Sequence, residues 1–118
     1  MMKRLPQGFE ELETWAGAWA LPTQNTRWDK RLASTREELV AFYDAVLPHL
    51  ERILEHVDQY PLGELPDQSA RLFDLALMHA EIAPNVELYD GDPNVPHSYE
   101  EKRFIAVHGN DRHCDPRP

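Results

Sequence analysis

Glycine and cysteine are scarce in this chain, and their scarcity removes several classes of function at once. Five glycines in 118 residues leave little material for a backbone cradle around phosphate, and no Gly-rich nucleotide loop is present. The single cysteine, Cys114, cannot form a disulfide within the chain or a C-x-x-C pair, and it fits a reducing compartment. H-E-x-x-H and G-x-S-x-G are missing as well. No nucleophile has a recognisable base beside it, so covalent catalysis has no support. No run approaches the roughly 18 apolar residues of a membrane span. Lys3 and Arg4 lead into Pro6 and the acidic Glu10, Glu11 and Glu13 instead of an apolar stretch. That predicts no signal peptide and a cytoplasmic location.

Positive charge is also in short supply. Twelve basic side chains stand against 21 acidic ones, a formal charge of −9. Such a surface repels phosphate backbones and anionic lipid, so neither nucleic acid nor membrane is expected as a partner. Arg27, Lys30 and Arg31 form the one basic cluster that could override this locally.

What is present is helical periodicity punctuated by proline. The length and a hydrophobic content of 42% suit one domain over residues 1–118 with one modest core. The expected fold is all-α: a small helical bundle built on a long antiparallel helix hairpin, with short N-terminal helices over residues 1–33. Phe9, Leu12, Trp15, Ala16 and Trp19 share one face of the first helix, and Thr23 can cap a second that carries Trp28 and Leu32. Ser34 with Glu37, and Thr35 with Glu38, read as two overlapping capping boxes. They open a long helix over residues 34–60, in which Leu39, Tyr43, Val46, Leu50, Ile53, Val57 and Tyr60 form the seam. Val40, Leu47 and Leu54 are expected to widen that seam, and Pro48 to kink the helix on its outer side. Pro66 fits the first position of a second long helix over residues 66–89. It is apolar almost all round, apart from a narrow polar arc of Arg71, Asp74, Glu81 and Asn85. Such a helix is either central to the fold or buried against a second chain. Residues 90–118 read as loop and irregular tail, with Phe104, Ile105 and Val107 as possible anchors.

The stretches Ala20-Leu21-Pro22-Thr23, Arg31-Leu32-Ala33-Ser34, Ala41-Phe42-Tyr43-Asp44-Ala45 and Ala83-Pro84-Asn85-Val86-Glu87 resemble small helical bacterial proteins. Those proteins are associated with gene clusters for aromatic-compound degradation and have no established activity. The resemblance covers about residues 5–97. It implies a bacterial origin and an auxiliary role beside an oxygenase, and it assigns no site residue.

Histidine and carboxylate are the remaining candidates for chemistry. His79 falls on an apolar half-circle with Leu72, Leu75, Ile82 and Val86. One reading is a buried neutral histidine; the other is the polar anchor of an interhelical pocket for a small aromatic molecule, in a binding protein or small enzyme. Glu81 points nearly opposite to His79, because two residues turn a helix by about 200°. Glu87 could join His79 if the chain bends at Pro84. Phe42, His49 and His56, spaced by seven, line the edge of the long helix as a half-exposed boundary, with His49 and His56 as alternative polar anchors of the same pocket. Two histidines two turns apart lie roughly 10 Å apart, too far for one metal. His108, His113 and Cys114, with Asp111 and Asp115, could hold a soft metal but have no specific spacing. The expectation is therefore no metal and no cofactor. Trp15, Trp19 and Trp28 read as core staples or as walls of a ligand pocket. The leading expectation is a non-catalytic accessory or protein-interaction module, a homodimer or the partner of another protein.

Overall fold

The computed structural model describes residues 4–61 and 63–88. The described chain is largely helical and contains no strand. A 3-10 turn, Glu10–Leu12, runs into α1 (Glu13–Trp19); α2 (Gln24–Ala33), α3 (Arg36–Val46), α4 (Leu50–Val57) and α5 (Asp67–Leu88) follow. No described helix is long and apolar enough to cross a membrane. The segment 90–118, with its loop, Phe104, Ile105 and Val107, lies outside the described residues.

Local chemistry sets most of the boundaries. Thr23 caps α2 through a reciprocal box with Thr26. Thr35 and Glu38 do the same for α3, the threonine hydroxyl accepting from the Glu38 N–H and the carboxylate from the Thr35 N–H at 2.8 Å. That hydrogen bonding holds the Glu38 carboxyl below its ordinary pKa. The neighbouring Ser34–Glu37 box does not form. Ser34 instead donates its hydroxyl to the Lys30 carbonyl at 2.6 Å and closes the end of α2. One residue can serve the end of one helix or the start of the next, and here two adjacent hydroxyls divide the work. Thr35→Ala is therefore expected to lower stability by about 1 kcal/mol, whereas Glu37→Ala should fall within about 0.5 kcal/mol of the parent. Urea denaturation of the two variants checks the difference.

The helix expected over 34–60 is two helices. α3 ends at Val46, Leu47–His49 form a 3-10 turn containing Pro48, and α4 starts at Leu50. Proline has no N–H to donate and its ring clashes with the preceding turn, so the ladder tightens to i→i+3 bonding instead of bending smoothly. Leu50 N–H accordingly bonds the Leu47 carbonyl. The seam residues Leu39, Val46, Ile53 and Val57 are buried. Leu47 and Leu54, expected to widen the seam, stay 46% exposed. Phe42, expected on a half-exposed edge, is fully buried.

α5 is the centre of the arrangement, with α1, α2, α3 and α4 all packed against it. The covering of its apolar circumference is thus done largely by the same chain. Part of its narrow polar arc is withdrawn from water: Asp74 and Asn85 are buried, and so is Met78 among them, whereas Arg71 is exposed. Arg31 of α2 places Nε 3.0 Å from Glu81 Oε2. Burial pushes the Arg27 pKa down, with Asp74 and Glu81 pulling it back up. Two members of the basic run, Arg27 and Arg31, thus face α5, while Lys30 lies over Trp19 of α1. α5 also continues through Pro84 to Leu88. Pro84 and Ala80 are both exposed, so the carbonyl that loses its helical partner faces solvent.

The segment before α1 is held down by side chains. Glu13 accepts the N–H groups of Arg4 and Leu5 at 3.0 and 2.9 Å, which seats the fully buried Leu5. Gly8 has φ +99°, a left-handed conformation that favours glycine, and turns its carbonyl to Arg52 Nη2 at 2.7 Å.

Candidate functional site

Of the aromatic residues singled out on the sequence, Trp15, Trp19 and Phe42 come together, and they do so as packing. Trp19 stacks on Phe42 at 4.5 Å with planes 9° apart. Trp15 meets both edge-on, 6.3 Å from Trp19 and 5.7 Å from Phe42. Lys30 Nζ sits 4.5 Å from the Trp19 ring centroid and Arg31 packs over Trp28 at 4.9 Å. These rings are wrapped by cationic stems, an arrangement that desolvates the ring faces.

His49 fastens the N-terminal segment to the 3-10 turn before α4, and His56 fastens α5 to α4. His49 Nε2 lies 3.2 Å from Glu11 Oε2, and its Nδ1 is 3.4 Å from Arg52 Nη1. His56 Nε2 pairs with the Ser69 hydroxyl at 2.8 Å, with Phe9 against its ring at 5.7 Å. No described contact joins either to His79. The seven-residue spacing that aligned them on the sequence corresponds to two separate staples.

His79 is the exception. It is 4% exposed, and its Nε2 is buried without a hydrogen-bond partner among the described residues. A buried polar atom left unmatched costs about 1–3 kcal/mol. The Tyr43 ring of α3 lies over the imidazole at 4.6 Å with planes 20° apart. The Tyr43 hydroxyl in turn donates to Glu87. Glu87, beyond Pro84 on α5, therefore reaches the site through a tyrosine from another helix. Eight residues along one helix are about 12 Å of rise, more than a direct contact between the two side chains allows. The sequence carried no signal for Tyr43 beyond its place on the seam.

Electrostatics follow from this geometry. Desolvation lowers the His79 pKa, with the Glu87 carboxylate opposing it. Hydrogen bonding to Glu87 and then desolvation raise that of Tyr43, so the phenol stays protonated. A histidine whose folded pKa lies below its unfolded value of 6.5 binds its proton more readily when unfolded. Its contribution to stability is full above that value and declines as pH falls toward the folded pKa. The melting temperature should therefore drop between about pH 7 and pH 5, and His79→Phe, which keeps a ring under Tyr43, should flatten the drop. Equal slopes in the two proteins would show that other groups set the pH dependence.

Among the described residues no group of three His, Cys, Asp or Glu is placed to hold a metal ion. His108, His113, Cys114, Asp111 and Asp115 lie outside the described residues. No family model, curated protein or solved structure matches the chain.

Proposed function

We propose that this chain is a cytoplasmic, non-catalytic accessory or protein-interaction module, a single helical domain that acts by docking a partner polypeptide. One observation carries the reading. The described tryptophans, His49 and His56 are engaged inside the fold, while the large apolar residues Leu47, Leu54 and Leu88 stand outside it. The antiparallel hairpin of the α3–α4 limb with α5 belongs to the same reading. Tyr43 meets His79 and Glu87 late on α5, whereas His56, further along its own limb, meets Ser69 early on it. The resemblance to proteins encoded beside aromatic-degradation genes suggests that the partner belongs to an oxygenase system.

A second reading, a small-molecule binder, is favoured by the unmatched Nε2 of His79 beneath the Tyr43 ring. Native mass spectrometry of untagged protein isolated from its own cells separates the two. A stoichiometric polypeptide, or a second copy, is the expected addition. A bound small-molecule mass without a polypeptide, lost on His79→Ala, would overturn the docking reading in favour of the pocket.

A further inference from the structure

The exposed side of the α3–α4 limb carries a regular pattern that the core does not require. Glu37, Asp44, Glu51 and Asp58 recur every seventh residue, and all four are exposed. Val40, Leu47 and Leu54 recur every seventh residue between them, Val40 half-buried and both leucines 46% exposed. Successive members are three and four residues apart, the spacing of a helix-pairing seam. The limb thus has two seams. One faces α5 and is filled by Leu39, Val46, Ile53 and Val57. The other faces outward.

The 3-10 turn bears on whether this outer seam stays straight. A heptad pattern on a straight α-helix drifts backward by about 20° per repeat, or about 60° over three repeats. In Leu47–His49 each residue turns about 120° instead of about 100°, which adds back about 60°. Overwinding at Pro48 therefore compensates the drift. This accounts for Leu47 and Leu54 remaining exposed alongside Asp44, Glu51 and Asp58 on both sides of the turn.

Resting on the docking reading above, we infer that the Val40–Leu47–Leu54 stripe is the docking face for a helix of a different protein, one with apolar residues in matching register and Lys or Arg between them. Charge complementarity selects this occupant. The stripe itself is lined by four carboxylates; of the exposed cations near it, Arg52 turns away to the Gly8 carbonyl and the Phe9 ring, and Arg36 stands only at its first turn. A second copy would bring the same carboxylates, and another net charge of −9, against the first. A cationic helix gains where a copy is repelled.

The probe is a synthetic helical peptide of about three heptads, with leucine at every seventh position and lysine at the intervening seam positions. Fluorescence anisotropy should show saturable one-to-one binding. Leu47→Gln/Leu54→Gln, which leaves net charge unchanged, should weaken it at least about tenfold. Both leucines are half-exposed, so circular dichroism should show the variant folded. Asp44→Asn/Glu51→Gln is the second variant and should weaken binding and flatten its salt dependence. No binding by the parent protein, or equal binding by the leucine variant, overturns the assignment. If native mass spectra show a polypeptide partner retained by the leucine variant, this face is wrong and the docking reading stands. A small-molecule mass in place of a polypeptide removes the docking reading itself.

Discussion

Phe42→Ala should lower the unfolding free energy by about 3–5 kcal/mol, the range for removing a large ring from a core that cannot close over the gap. Phe42 is fully buried, its face covered by Trp19 and its edge region by Trp15. Truncation therefore removes apolar area and also two ring–ring contacts, each worth about 0.5–1.5 kcal/mol beyond burial. The indole pair would be left around a void. Guanidinium denaturation with tryptophan fluorescence reads both consequences, a lower midpoint and an altered native emission. Phe42→Leu, which refills part of the volume, should recover more than half of the loss. A cost below about 1 kcal/mol for Phe42→Ala would mean that the ring is not the keystone the packing makes it.

Glu81→Ala has the second large effect, for a different reason. Arg31 is 3% exposed, and Glu81 faces its Nε at 3.0 Å. Taking away one carboxylate leaves a guanidinium in low dielectric with less compensation, a change that costs about 3–5 kcal/mol when a buried pair is broken from one side. Replacing both partners, Arg31→Met with Glu81→Leu, should be far milder, since the desolvation penalty of both charges goes with them. A double-mutant cycle on thermal unfolding measures this: a strongly favourable coupling energy is expected, and strict additivity would show that the pair is solvated in practice. Asp74, which like Glu81 acts on Arg27, belongs to the same α2–α5 contact.

These two sites also mark where sequence reading worked and where it ended. The tryptophans and the first-helix face were legible because hydrophobic residues repeat at the helical period, and Leu12, Ala16 and Trp19 are buried as that period requires. The Thr35–Glu38 cap was legible because it involves four consecutive residues. Phe42 was misplaced to an edge, since one helix alone cannot report that Trp19 will arrive against it from elsewhere in the chain. Arg31 and Glu81 looked like separate surface charges, being 50 positions apart. His79 was recognised as a titratable group on an apolar face, while its cover, Tyr43, was not.

What the sequence alone determined is what is local or compositional: helices, their caps, the proline interruption, the acidic balance, and which face of each helix is apolar. These depend on neighbours within a few positions, whose geometry the backbone imposes wherever the chain goes. The tertiary structure alone decided which apolar face is covered by what. It made α5 central, set Asp74 and Glu81 of its polar arc against the arginines of α2, placed Tyr43 over His79 with its hydroxyl on Glu87, and left Leu47 and Leu54 outside. Those outcomes depend on contacts between residues far apart in sequence, and burial and the loss of hydration exist only once several helices share one core.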